Sequence, residues 1–166
     1  MKKLKMGDVF KIPVSNEKTG YGQIIELHDK NAFIIGVFKE LYFIQDLPNL
    51  EKILEDEILF LGYTMDALIY HKYWEIIGNN LSNLTIVKLP YYKLGTPPEM
   101  NIVNYKGNFI RKSDKTEFDN LEYETVVAPV RYENALKAFY KMGEWNEDYD
   151  RLFYARTLES IKIVEG

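Results

Sequence analysis

The sequence predicts a mainly β α+β fold: an SH3-like or barrel-like antiparallel sheet in the N-terminal part, followed by one or more packed C-terminal helices. Three observations support this. Short apolar runs of period two, separated by polar turns, fill the first forty residues. Thirteen tyrosines and nine phenylalanines in 166 residues favour pleated, half-buried surfaces. One clear helical periodicity occurs, and it lies late, after Pro129.

Taken in order, Phe10, Ile12 and Val14 fall on one face of an extended segment with Lys11 on the other, and Pro13 belongs at a strand end because it lacks an N–H for the ladder. Residues 15–19 turn the chain, and residues 20–27 resume extended structure. The apolar run 32–38 then reads as a neighbouring antiparallel strand across a His28-Asp29-Lys30-Asn31 turn. Gly7-Asp8 and Gly20-Tyr21-Gly22 read as the turns that frame the first strand. Residues 50–54 suit a short helix after Pro48, 58–61 a strand, 65–73 a short helix or turn, and 74–77 a strand ending at a Gly78-Asn79-Asn80 loop. Residues 85–89 read as another strand.

Pro90, Gly95, Pro97 and Pro98 punctuate a long connection. The chain therefore reads as a single domain, 1–166, with an internal boundary near 90–100 between the barrel-like part and a strand-helix-strand elaboration. Residues 101–105 and 108–111 bracket a Lys106-Gly107 hairpin turn, and 121–127 supply a further strand. After Pro129, Tyr132, Leu136, Phe139 and Tyr140 recur at helical spacing, with Gly143 as a natural stop. Residues 149–154 continue helically, and 161–164 close the fold as a short strand.

Composition narrows the chemistry. A formal charge of −4 argues against broad nucleic-acid binding, and the absence of cysteine removes disulfides and thiol catalysis. The basic start lacks the apolar core of about 7–15 residues that a signal peptide needs, and no run approaches the ~18–20 apolar residues of a membrane helix, so the expectation is a cytoplasmic protein with no membrane partner. Gly7, Gly20 and Gly22 do not have the spacing of a phosphate-binding loop. Asp8 suits backbone hydrogen bonding in its turn. His28 and His71 are isolated; His71 with Glu75 falls short of a zinc ligand set, and no nucleophile, base and electrophilic stabiliser assemble from spacing. No catalytic residue, metal, cofactor or small-molecule substrate is expected, and the chain reads as a non-enzyme.

Two acidic clusters remain. Glu51, Glu55, Asp56 and Glu57 form one. Glu144, Glu147, Asp148 and Asp150 form the other, where Trp145 and Tyr149 add rigid ring area of the kind protein interfaces use. Glu144, Trp145, Glu147, Asp148 and Tyr149 are therefore the candidate partner-binding residues. The alternative is a small β-barrel gripping a single nucleic-acid strand with Lys2, Lys3, Lys5, Lys11 and Lys18 and the Tyr91-Tyr92-Lys93 group; the acidic remainder of the chain makes nucleic acid the weaker partner.

Lys5-Met6-Gly7-Asp8-Val9-Phe10-Lys11-Ile12-Pro13-Val14, followed by Gly20-Tyr21-Gly22-Gln23-Ile24-Ile25, resembles the start of the immunity protein 26 family. Tyr73-Trp74-Glu75-Ile76-Ile77-Gly78 and Leu89-Pro90-Tyr91-Tyr92 extend the resemblance through roughly the first 95 residues. The resemblance implies a β-rich, non-enzymatic immunity or inhibitor protein of a bacterial polymorphic toxin system, which neutralises a cognate toxin by binding it stoichiometrically.

Overall fold

The computed structural model describes residues 3–28 and 32–166. The fold is mixed α+β, and the chain divides into two compact units. The first comprises the residues up to Val87 together with Val126–Tyr154; the second comprises Lys88–Thr125 and Ala155–Gly166.

The first unit is built on an antiparallel sheet. Its strands are β1 (Asp8–Pro13), β2 (Lys18–Leu27), β3 (Phe33–Phe38), β4 (Tyr42–Phe43), β5 (Ile58–Thr64) and β6 (Ile76–Asn79). They pair in the order β5-β3-β2-β1-β6, with β4 added to the start of β2. Among the described residues no ladder joins β5 to β6, so the pairing path is open.

Alternation decides the two faces. Phe10, Ile12 and Val14 enter the larger core with Ile24, Phe33, Ile35, Val37 and Phe60, as their period-two spacing predicts. Val9, Tyr21 and Phe38 point the other way, into a smaller core with Ile53. β3 is buried at every position, which is why it reads as an unbroken apolar run.

Helices cover both faces. α1 (Leu50–Leu54) brings Ile53 to the smaller core, and the Asn49 side chain caps it by accepting the Lys52 N–H at 2.9 Å. α2 (Ala67–Tyr70) and α4 (Pro129–Phe139) cover the larger core, α4 through Tyr132, Ala135, Leu136 and Ala138. The helix expected after Pro129 thus packs on the sheet.

Gly7 takes φ +88° in the predicted turn, and Asp8 fastens it: its carboxylate accepts the Lys5 N–H and an Asn79 side-chain N–H, both at 2.9 Å. Gly20 and Gly22, by contrast, lie inside β2 and not in a turn; the chain reverses at residues 14–18. Gly22 faces Phe10 in register, and a Cβ there would stand 2.5 Å from that ring. A glycine pair that looks like turn chemistry is in fact room for side chains.

α4 ends earlier than Gly143. Lys141 takes the left-handed conformation at φ 63°, and the Met142 N–H bonds the Lys137 carbonyl at 2.8 Å while the Lys141 N–H bonds that of Ala138 at 3.0 Å. This is the double closure that glycine ordinarily provides. Lys141→Gly is therefore expected to raise stability by about 0.5–1 kcal/mol, read as a higher urea midpoint, the relief of left-handed strain exceeding glycine's extra unfolded-state entropy. A lower midpoint would contradict it.

The second unit holds a three-stranded sheet, β7 (Tyr92–Leu94), β8 (Asn101–Val103) and β9 (Phe109–Lys112), with α3 (Lys115–Asn120) and most of α5 (Tyr154–Glu165). The β8–β9 hairpin turns at Lys106-Gly107 as predicted, with Gly107 at φ +83°. Several expectations fail here and nearby. Residues 161–164 are not a strand: α5 runs unbroken through them, since nothing after Tyr154 stops a helix and Thr157 and Ser160 are buried at helical spacing. Residues 121–127 make only isolated bridges, through Tyr123 and Val126. The expected strand at 85–89 is a short 3-10 turn at Leu84–Ile86. Asn79 and Gly78 belong to β6 and not to a loop. Within the expected 28–31 turn, Asp29, Lys30 and Asn31 lie outside the described residues, as does Lys2.

Candidate interaction surfaces

The segment after α4 places the five predicted partner-binding residues in different environments. Asn146 opens a 3-10 helix (Glu147–Leu152), its side chain accepting the Asp148 N–H at 2.9 Å. Tyr149 is buried in the larger core. Trp145 is 38% exposed and stacks on Phe153 with centroids 5.3 Å apart, while Tyr149 meets it edge-on at 5.4 Å. Its indole N–H donates to Asp150 at 2.8 Å. Asp148 pairs with Arg131 at 3.4 Å. Glu144 and Glu147 are exposed. Trp145, the two glutamates and Asp148 are therefore at the surface, and Tyr149 alone of the five is buried.

The first acidic cluster gains residues that sequence spacing did not associate with it. Glu40, Asp46, Glu55 and Asp56 line one shallow cleft of about 500 Å³ together with Leu41, Tyr42 and Phe43. Lys18 lies 3.6 Å over the Phe43 ring and Lys52 5.5 Å over that of Tyr42. Phe43 in the lining, and Ile44 and Leu47 that follow it in the chain, are exposed, Leu47 by 77%. The ends of the segment are anchored: the Ile44 N–H bonds the Glu17 carbonyl at 2.9 Å, and the Asp46 N–H bonds that of Phe43 at 3.0 Å. The Tyr140 hydroxyl donates to the Lys39 carbonyl. Burial raises the Tyr140 pKa, and the nearby Glu40 and Asp56 carboxylates raise it further.

The other candidates resolve into structural roles. In the second unit a cleft of about 700 Å³ is lined by Lys93, Glu117, Asp119, Arg156, Glu159 and Lys162, among others. Its charges are largely paired. Arg111 grips Glu117 through two hydrogen bonds of 2.9 and 2.6 Å, and Arg156 meets Glu122 at 3.4 Å. Lys93 donates to the Phe118 carbonyl at 3.0 Å with its ammonium over the Phe118 and Tyr123 rings, and the Tyr91 hydroxyl donates to Glu165 at 2.7 Å. The Tyr91 and Lys93 polar ends proposed for a nucleic-acid strand are thus engaged within the unit. His71 ends α2 with its ring edge-on to Tyr70 at 5.1 Å, and His28 packs near Tyr63. Among the described residues no group of three or more His, Cys, Asp or Glu is placed to hold a metal ion, and no helix is long and apolar enough to cross a membrane.

The hydrogen bonds from Arg111 hold the Glu117 carboxyl down at about 2, and the Asp114 N–H acts in the same direction. A depressed carboxylate contributes stability that is complete above its unfolded-state value and is lost as pH falls through the folded one. The stabilising contribution is expected to persist at pH 5 and to disappear between about pH 4.5 and about pH 2. Carboxyl NMR should give a Glu117 midpoint near 2, and Arg111→Met should return it to the ordinary range; a midpoint above 4 in the unaltered protein would refute the pairing.

A family model described as Immunity protein 26 matches residues 5–97, more than half of the chain. The chain belongs to the Immunity protein 26 family. The matched region covers β1 to β7, and so includes the sheet, α1 and the acidic cleft, while residues 144–150 lie beyond it. No curated protein and no solved structure matches the chain. The Immunity protein 26 match supports an immunity-type protein whose partner is another protein.

Proposed function

We propose that this member of the Immunity protein 26 family neutralises a cognate toxin of a bacterial polymorphic toxin system by binding it stoichiometrically in the cytoplasm, without catalysis. The family match carries this reading. Two features of the molecule support it. The rigid sheet, buried on both faces, offers a preorganised scaffold, which reduces the ordering cost of association. The surface also carries the partly exposed Trp145, and tryptophan is among the residues that contribute most to the binding energy of protein interfaces.

Under this reading Glu144, Trp145, Glu147 and Asp148 make direct contact, and Tyr149 packs against Trp145, which Asp150 and Phe153 also hold in place. The test is co-expression with the toxin encoded by the neighbouring gene. Growth is expected to be restored by the unaltered protein, and Trp145→Ala is expected to weaken the complex by about tenfold to a hundredfold. Unrelieved toxicity with soluble, folded protein present would overturn the assignment.

A further inference from the structure

Residues 40–57 hold six carboxylates against Lys52 alone, a formal charge of −5 in a chain whose total is −4. The rest of the molecule sums to +1, because its lysines and arginines offset its other carboxylates, the four of residues 144–150 among them. The acidic segment runs from Glu40, before β4, through β4, the loop after it and α1 to Glu57, which precedes β5.

Most of this charge is not neutralised within the fold. Glu57 pairs with Lys39 at 3.8 Å, and Asp56 accepts the N–H groups of Glu40 and Glu57. Glu40, Asp46, Glu51 and Glu55 form no ion pair among the described residues. The 144–150 cluster differs, having committed Asp148 to Arg131 and Asp150 to the Trp145 indole. Between the unpaired carboxylates stand Phe43, Ile44 and Leu47, exposed by 44%, 48% and 77%. Three large apolar side chains within five residues, held by backbone hydrogen bonds and rimmed by carboxylates, have the layout of an interface core with a charged rim.

We propose that this strip, centred on Phe43, Ile44, Asp46, Leu47 and Glu55, is a second surface that docks the toxin, in addition to the contact through Glu144, Trp145, Glu147 and Asp148, and that the toxin face it meets is cationic with apolar side chains at its centre. This rests on the immunity reading above. Charge complementarity selects that occupant. Even with Lys18 and Lys39 set against it the strip keeps an excess of carboxylates, which repels nucleic acid, an anionic membrane and its own counterpart on a second copy of the chain, whereas a basic protein surface gains both attraction and faster association. The cleft already displays the chemistry: the Phe43 and Tyr42 rings each carry a lysine ammonium over one face, amid carboxylates. Lysine and arginine side chains of the partner would find the same two kinds of group.

The test titrates the purified full chain with the toxin encoded by the neighbouring gene. The triple variant Asp46→Lys, Leu47→Ser, Glu55→Lys should bind about a hundredfold more weakly, and Leu47→Ser alone, at the most exposed position, about tenfold. The unaltered protein should lose at least about tenfold in affinity between about 50 and about 500 mM sodium chloride. Unchanged circular dichroism confirms that the variants fold, and the single variant with the salt series decides the matter if the triple variant does not. Tight binding by the unaltered protein that is insensitive both to salt and to Leu47→Ser overturns the strip while leaving the immunity function standing. No binding by the unaltered protein overturns both. Self-association of the chain that the triple variant abolishes assigns the strip to a second copy and refutes the proposal.

Discussion

Replacing Trp74 with alanine is expected to destabilise the first unit by about 3–5 kcal/mol, enough to unfold a typical domain partly at 37 °C. Trp74 is 1% exposed and lies parallel to Phe10, with ring centroids 5.0 Å apart and planes 8° from one another. Truncation removes that stack and opens a cavity between the sheet and its covering helices, which a packed interior cannot close. It also withdraws the indole N–H from Glu133, bonded at 3.0 Å, a carboxylate that keeps the Lys137 ammonium at 3.4 Å. Trp74→Phe keeps most of the apolar area and should cost clearly less than the alanine variant. Urea unfolding followed by far-ultraviolet circular dichroism measures both. A loss below about 1 kcal/mol for Trp74→Ala would mean that the core does not rest on this stack.

Gly22→Ala is expected to cost about 3 kcal/mol, although a methyl group is the whole of the change. The new Cβ would stand 2.5 and 2.6 Å from two atoms of the Phe10 ring and 3.0 Å from the Gly36 carbonyl oxygen. The ring cannot swing away, because Trp74 lies against it, and the carbonyl belongs to the neighbouring strand β3. The severest part of the conflict is with Phe10, so Phe10→Leu should cost less in the Gly22→Ala background than in the unaltered chain. Additive losses would place the strain elsewhere.

That pair also indicates where sequence reading succeeds and where it stops. Phe10, Ile12 and Val14 announce their common face through alternation, β3 announces its burial by an unbroken apolar run, and α4 announces its covering face by helical spacing after Pro129. These are local patterns tied to a period. Gly20 and Gly22 carry the same residue symbol as a turn, yet they are selected by Phe10 and Leu136, partners distant in the chain. The tail at 161–164 has strand composition but continues a helix already begun at Tyr154. α3, which the sequence reading leaves unassigned, does carry a local signal: Asp114 and Glu117 form a reciprocal cap at its start, with the three-residue spacing such a cap requires.

The interaction surfaces divide in the same way. The carboxylates of α1 and its C-terminal neighbours stand out in the sequence, as do Glu144 and Trp145. Phe43 and Ile44 do not, since two adjacent apolar residues read as core. They stay exposed because β4 spans only two residues, pairs only with β2, and is followed by a turn and Pro48 before α1 begins. Charge density counted over residues 40–57 would have drawn attention to them. Tyr149 reads as an interface aromatic from its acidic neighbours, but the 3-10 helix that contains it turns the ring into the core and leaves Trp145 outside.

The most direct test of the account is calorimetric titration of the purified chain into the purified toxin encoded beside it, with the toxin's activity followed in the same samples. Saturation at one chain per toxin and complete loss of toxin activity at equivalence are expected. Absence of binding heat together with full toxin activity in the presence of excess folded protein would contradict the proposed neutralisation.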